Sequence, residues 1–344
     1  MSKPLNVAVI GLGYFSQFHL DAWADLDSVQ IAGVTDPDPR RRDWAAQTYG
    51  TSAFADLDSL SAATDPDIVD IVAPPPAHLD LIRHLACKGR IMICQKPFCT
   101  SLGDAEAATA VAEAAGAMLI IHENFRFQPW YRTLKAFLDS GQMGAVYQCR
   151  FALRPGDGRG EDAYLNRQPG FRNMPRLLIH ETGVHFIDLF RWLFGEITAV
   201  YADLRQLNPV LAGEDAGVML LDHASGVRSQ FDGNRLADHD TDNPRRTMGE
   251  LLIEGETGAV RLDGQGRLFL RSFGMRVETS IPLISALDDN SFGGGCVAAL
   301  ISHVVAAARG DARFENSARS YLPVIRVTEA AYTSAETGRR ISFD

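Results

Sequence analysis

The chain has no apolar run longer than a strand needs, so no segment of its 344 residues reads as a membrane-spanning helix. Its apolar start runs straight into a glycine turn, which is not the pattern of a secretory signal. Positive charge is in short supply, 33 Lys and Arg against 43 Asp and Glu, for a net charge of −10. Nucleic acid and anionic membrane both need a basic face, so neither is expected as a partner. The five cysteines (Cys87, Cys94, Cys99, Cys149, Cys296) are an odd number, with no CxxC pair and no histidine cluster nearby. That argues against a disulfide framework and against a zinc site, and no metal is expected. Unpaired thiols fit a reducing cytoplasm. Repeats and low-complexity linkers are also missing. What remains, 46% hydrophobic in composition, suffices for a full core and two domains.

The most informative stretch is the opening. Val7 to Ile10 read as a strand, Gly11 to Ser16 as a tight turn into a helix, and Ile31 to Thr35 as a second strand that stops at Asp36. Each part has a job in holding a dinucleotide. Gly11 permits the sharp turn, and Gly13 lets backbone approach a pyrophosphate at a helix N-terminus, next to Tyr14 and Phe15. Asp36 can accept hydrogen bonds from ribose hydroxyls. The third glycine of the usual pattern is Ser16 here, so the strand–turn–helix–strand–acid order carries the reading, against the alternative of an ordinary βαβ turn.

Short apolar strands and helices alternate to Met118–His122, as a doubly wound parallel sheet requires. A dinucleotide-binding domain is therefore expected over residues 1–123. Beyond it, helices around Trp130–Ser140, Cys296–Arg309 and Ala318–Thr337 accompany strands near Val146–Leu153, Ala199–Gln206, Ala216–Asp222, Arg228–Gly233, Gly249–Glu254, Ala259–Leu262 and Leu268–Arg271. Several of these are joined by short turns, which predicts an α+β domain over 124–344 with a large, mostly antiparallel open sheet.

Three further groups stand where such a fold places chemistry. Pro74, Pro75 and Pro76 follow a strand and could wall a nicotinamide, with His78 either contributing or merely capping the next helix. Gln95–Lys96–Pro97 follows another strand, and Pro97 biases Lys96 away from helical geometry. An ammonium there can steady a developing alkoxide; the alternative is a solvated surface lysine. In the segment Ile179–Leu193, helical spacing puts Glu181, His185, Asp188 and Trp192 on one face. A histidine with a carboxylate one turn away suits a general base. A structural His–Glu pair is equally common, and Gly183 could place the helix start inside the motif.

Together these residues resemble the glucose–fructose oxidoreductase/inositol dehydrogenase (Gfo/Idh/MocA) family over almost the whole chain. The resemblance rests on the N-terminal turn, Pro74–His78, Lys96–Pro97, Asn124–Pro129 and Gly183-x-His185-x-x-Asp188. It implies a Rossmann domain and hydride transfer from a hydroxyl of a sugar or polyol to a nicotinamide. Asp36 would repel a 2′-phosphate, against Arg40, Arg41 and Arg42, which could clamp one, so NAD is expected and NADP is the lesser choice. By resemblance the catalytic lysine is Lys96 and the carboxylate–histidine pair is Glu181 and His185. Two departures stand out: Gln95 replaces a glutamate usual in the family, and Glu181 replaces an aspartate. The segments His122–Tyr131 and Met174–Ile179 look similar to members acting on the branched pentose apiose.

The expected enzyme is thus a cytoplasmic nicotinamide-dependent sugar or polyol dehydrogenase, with the anomeric hydroxyl of a cyclic sugar among its targets. Gly11, Gly13, Tyr14, Phe15, Asp36, Pro74, His78, Gln95, Lys96 and Asn124 are expected at the cofactor. Lys96, Asn124, Arg154, Tyr164, Arg172, Arg176, His180 and His185 are expected at the substrate, with packing or surface charge the alternative for each of the second domain's candidates. A leftover sheet face and the family resemblance both point to a homodimer or homotetramer through the C-terminal sheet. Two other readings stay open: an enzyme that retains its cofactor and shuttles hydride between two sugars, and a non-catalytic NAD(H) sensor.

Overall fold

The computed structural model describes residues 3–289 and 291–343. These fold into two compact units, Met1–Asn124 with Val297–Ile325 and Phe125–Cys296 with Arg326–Asp344. Among the described residues of the first unit the strands are β1 (Leu5–Ile10), β2 (Val29–Thr35), β3 (Ala53–Phe54), β4 (Ile68–Ile71), β5 (Ile91–Gln95) and β6 (Met118–His122). All run parallel in the order β3-β2-β1-β4-β5-β6. Strands covered on both faces read as continuous apolar runs, and β4 is buried at every position. Asp70 breaks that rule, as a fully buried carboxylate inside the strand.

The crossovers are α1 (Ser16–Ala24), α2 (Pro39–Tyr49), α3 (Leu57–Thr64), α4 (His78–Leu85) and α5 (Leu102–Ala115). Local chemistry sets their starts. Asp38 caps α2 by accepting the Arg40 N–H, with Pro39 in the first turn, and Ser101 caps α5 by accepting the Asp104 N–H. The short β3 and α3 carry too little periodicity to be read from sequence.

The second unit is built on a sheet ordered β14-β13-β12-β11-β7-β10-β9-β8-β15. Its strands are β7 (Val146–Leu153), β8 (Ile197–Arg205), β9 (Ala216–His223), β10 (Arg228–Asn234), β11 (Gly249–Gly255), β12 (Gly258–Leu262), β13 (Leu268–Ser272), β14 (Thr279–Ile281) and β15 (Ile341–Ser342). Pairing is antiparallel throughout except between β7 and β10, which run parallel. Helices α6 (Pro129–Asp139) and α7 (Val184–Phe194) belong to this unit. One sheet face packs on α7, where Phe186 stacks with Phe151 at 4.0 Å and meets Phe231 at 5.2 Å. The other face presents Gln148, Arg150, Leu220, Arg228, Gln230, Leu252 and Glu254 around a shallow hollow of about 340 Å³.

The last helices, α8 (Cys296–Ala308) and α9 (Ala318–Thr337), depart from the expected division, which gave all of 124–344 to one domain. Residues 297–325 return to the first unit. Main-chain bonding explains the return: Ile121 N–H donates to Asn316 O at 2.8 Å, and the Asn316 amide donates to Glu123 O at 2.7 Å. The Tyr321 hydroxyl reaches the Glu123 carboxylate at 3.1 Å. Polar contacts between segments so far apart in sequence leave no periodic trace.

Helix α7 is pinned by charge as well as by its phenyl stripe. Asp188 is fully buried and accepts two hydrogen bonds of 2.5 Å from the Arg126 guanidinium. Breaking a buried pair from one side strands the other charge, at a cost of about 3–5 kcal/mol. Asp188→Ala should therefore lower the urea midpoint of unfolding markedly, and an unchanged midpoint would show that the pair does not hold the helix.

Candidate active site

Gly11 sits at φ +89°, and its N–H donates to Thr35 O at 2.9 Å. A Cβ there would lie 2.7 Å from Ala73 N, so any other residue would push two strand ends apart. Gly13 is the opposite case, with nothing within 4 Å of where its Cβ would stand. The turn is therefore tight underneath and open above. Ser16, in place of the third glycine, closes it by donating its hydroxyl to Gly13 O at 2.7 Å. Tyr14 is 46% exposed and packs edge-on against Phe18, while Phe15 lies against Phe18 and His19.

Asp36 binds both sides of the turn. Its Oδ2 accepts Leu12 N–H at 2.7 Å and its Oδ1 accepts Asp38 N–H at 2.8 Å. A groove of about 320 Å³ is lined by Leu12, Gly13, Tyr14, Gln17, Arg40, Arg41 and Trp44. Three arginines, Arg40, Arg41 and Arg42, follow Asp36 closely in the chain, and they are mostly engaged. Arg40 is drawn to Asp38, and Arg42 donates to Asp36 O at 2.6 Å. Arg41 leans toward Asp36 Oδ2 at 3.8 Å. A glycine cradle at a helix start, flanked by a carboxylate, suits the pyrophosphate and ribose of a dinucleotide.

At the exit of β4, Pro74 is exposed and leads into a 3₁₀ turn, Pro75–Ala77. His78 is fully buried, with Nε2 bonded to Ala73 O at 2.8 Å and Nδ1 accepting Cys99 N–H at 3.5 Å. Burial pushes its pKa down to about 4, so the ring is neutral near pH 7 and braces the proline loop. Those contacts hold the loop and do not cap the next helix, since α4 starts with no side-chain cap. At the exit of β5, Gln95 Oε1 accepts Lys96 N–H at 2.7 Å, and the Lys96–Pro97 peptide is cis. Asn124, just past β6, is 2% exposed, and its side-chain nitrogen has no partner among the described residues. An orphaned buried donor at that position suits a ligand oxygen.

The second unit gathers the remaining candidates around different centres. His185, 5% exposed, stacks flat on Phe125 with ring centroids 3.9 Å apart and planes within 1°. Glu181 does not continue the α7 register: Leu178–Gly183 form a π-helical turn and the α-helix begins at Val184. The expected single face of Glu181, His185, Asp188 and Trp192 is corrected accordingly, because a π turn takes in an extra residue before the helix starts. The Glu181 carboxylate is held by Arg235 at 3.0 Å and by the Thr182 hydroxyl at 2.7 Å.

Sequence reasoning missed Arg235, since nothing in the sequence marks it out from the other arginines. Its side chain is 1% exposed and also bonds Thr182, Asp157 at 3.2 Å and the Tyr164 hydroxyl at 3.2 Å. Burial alone would lower its pKa, but Asp157, Tyr164 and Glu181 hold it above the ordinary arginine range. Four expected substrate contacts have protein partners of this kind. Tyr164 lies in a cluster with Leu177 and Leu211, its hydroxyl on Asp157 at 3.0 Å. Arg154 pairs with Asp232 at 2.7 Å, and Arg172 donates to Glu161 O at 2.7 Å. Arg176 pairs with Glu329 at 2.8 Å and sits over the Tyr332 ring. His180 is half-buried, and its N–H donates to the Tyr332 hydroxyl at 3.0 Å. Among the described residues no cluster of His, Cys, Asp or Glu could hold a metal, and no helix is long and apolar enough to cross a membrane.

Comparison with known proteins agrees with this geometry. Residues 5–123 match the model of an oxidoreductase family with an NAD-binding Rossmann fold, and residues 131–261 match the GFO/IDH/MocA C-terminal domain. A D-apiose dehydrogenase from Paraburkholderia graminis is 32% identical, the match covering 99% of this chain and 90% of that protein. Another from Rhizobium rhizogenes is 30% identical over 98% and 97%. The crystal structure of an Agrobacterium radiobacter oxidoreductase in complex with NAD+, L-tartaric acid and magnesium superposes with a TM-score of 0.89. It is 29% identical, with 99% of this chain and 98% of that one covered.

The cofactor is NAD, and Asp36 is the expected determinant of that choice. Its carboxylate would face a 2′-phosphate at close range, where two like charges repel by roughly 4 kcal/mol at an effective dielectric near 20. Even a quarter of that is severalfold in affinity. NAD+ should be preferred to NADP+ by at least about tenfold in kcat/KM, and Asp36→Ala should narrow the gap while lowering both values, since Leu12 and Asp38 N–H lose their acceptor. Parallel initial rates with the two cofactors decide it; equal use of NADP+ by the wild type would overturn the assignment.

Proposed function

The chain belongs to the Gfo/Idh/MocA oxidoreductase family, and on that premise we propose that it oxidises a hydroxyl of a branched pentose of the D-apiose type. The observation that carries this reading is likeness to two D-apiose dehydrogenases along essentially the whole chain, both domains included. An anomeric hydroxyl as the target would make the product a lactone. Bound NAD+ supplies the hydride acceptor.

This chain's residues do the rest. In the proposal His185 takes the hydroxyl proton, and its flat stack on Phe125 fixes the plane of the ring that must receive it. The family resemblance pairs Glu181 with His185 to orient the imidazole, and Arg235 and Thr182 fix Glu181. Because Arg235 already offsets the Glu181 charge, Glu181 contributes mainly geometry. Lys96 donates to the substrate oxygen and steadies negative charge as it develops. The Asn124 amide offers its unpartnered donor to a ligand oxygen.

The open face of the second sheet, with Tyr201, Leu220 and Leu252 between charged neighbours, is proposed to meet a second copy of the chain. A cytoplasmic setting is proposed on the five unpaired thiols.

Lys96→Ala and His185→Ala should each lower kcat by about 10²–10⁴-fold with NAD+ affinity nearly unchanged. Glu181→Gln, which keeps length and loses charge, should be milder. Stopped-flow kinetics with D-apiose, other pentoses, hexoses and inositols test both roles and substrate together. Near-wild-type turnover by His185→Ala, or NAD+ reduction with none of these compounds, would refute the proposal.

A further inference from the structure

A fully buried carboxylate in the middle of a parallel strand is costly unless something requires it, and the proposed chemistry makes no use of Asp70. Its Oδ2 accepts the Trp23 indole N–H at 2.7 Å and bonds His19 Nδ1 at 2.8 Å. Its Oδ1 has no partner among the described residues, so the position is not one that packing alone favours. On the far side of the same imidazole, His19 Nε2 meets Gln95 Nε2 at 3.0 Å. Gln95 Oε1 then accepts Lys96 N–H at 2.7 Å.

The direction of every bond in this series is fixed by its two ends. At one end the Asp70 carboxylate oxygen accepts, so His19 Nδ1 carries the ring hydrogen and Nε2 is left to accept. The Lys96 main-chain N–H can only donate, so Gln95 must turn its oxygen toward Lys96 and its amide nitrogen toward His19. The two requirements meet without conflict at the His19–Gln95 bond. A glutamine at 95 can donate to that Nε2 while it accepts from Lys96; a glutamate carboxylate can only accept. Gln95, one of the two departures from the family pattern, is thus a residue that can donate to the buried histidine and accept from Lys96 at once. Around His19 the other aromatic neighbours are His122, with ring centroids 4.1 Å apart, and Phe15 at 5.6 Å.

We propose that His19 and Asp70 are positioning residues for Lys96, acting through the Gln95 amide on the Lys96 main chain. The inference rests on the role proposed for Lys96 above. A small displacement of a reacting group costs rate, with about 10²-fold for about 1 Å as a guide.

Three variants test it beside Lys96→Ala. His19→Asn keeps a donor for Asp70, which protects the fold, but is too short to reach Gln95. Gln95→Ala removes the acceptor of Lys96 N–H, and Gln95→Glu restores it. His19→Asn and Gln95→Ala should each lower kcat about tenfold or more. In His19→Asn, KM for the sugar and the NAD+ dissociation constant, read by quenching of protein fluorescence, should stay within about threefold. Gln95→Glu should recover kcat to within about threefold of wild type. The double variant His19→Asn/Gln95→Ala should be no slower than Gln95→Ala alone, because both cut one series. Wild-type kcat in His19→Asn while Lys96→Ala is inactive would overturn this inference and leave the role of Lys96 standing. Multiplying effects in the double variant, or loss confined to KM, would also overturn it. An active Lys96→Ala would instead defeat the reading on which it rests.

Discussion

The first unit is organised by one close approach of backbone to backbone. Gly11 lies so near the exit of β4 that a single added carbon would meet Ala73 N at 2.7 Å, and its own N–H is tied to the end of β2. The carboxyl ends of β1, β2 and β4 are thereby drawn to one place. Everything the unit offers a ligand is set by that convergence: the open side of Gly13, the Asp36 carboxylate and the proline loop. Asp36 reinforces it by accepting N–H groups from both the glycine turn and the loop that follows β2. One carboxylate therefore shapes the turn and sets the charge that a cofactor phosphate would meet.

In the second unit the corresponding constraint is buried charge. Arg126 with Asp188, and Arg235 with Asp157 and Glu181, are side chains that water would otherwise hold. Such pairs add little net stability, but each is severe toward rearrangement, because separating the partners leaves a charge inside. They fix the start of α7, and with it the π turn that carries Glu181 and the helix turn that carries His185. The flat stack of His185 on Phe125 completes the arrangement.

Much of this was legible in the chain itself. Apolar runs and glycine punctuation locate the Rossmann strands and most of the second sheet, because continuous burial and alternation leave direct traces in sequence. The turn at Gly11–Ser16, Asp36 and the position of Lys96 at a strand exit were read for the same reason, whereas Asn124 entered through the family resemblance. The return of residues 297–325 to the first unit was not, since it depends on single contacts such as Asn316 with Glu123. Arg235 was invisible because burial of one arginine among many has no local signature. The expected Glu181–His185 face assumed a straight helix, and the π turn ending at Gly183 shifted it. Arg154, Arg172 and Arg176 were read as substrate contacts or as surface charge and packing; each has a protein partner, and partners are what a sequence does not display.

The central claim is that hydride passes directly from a sugar carbon to NAD+ while the chain's own residues handle the proton. Transfer from D-apiose labelled with deuterium at the anomeric carbon tests it most directly, with the reduced cofactor analysed by mass spectrometry and NMR. The account predicts one deuterium on the nicotinamide ring per turnover and none released to water. Deuterium lost to solvent, or reduced cofactor formed without label, would contradict it.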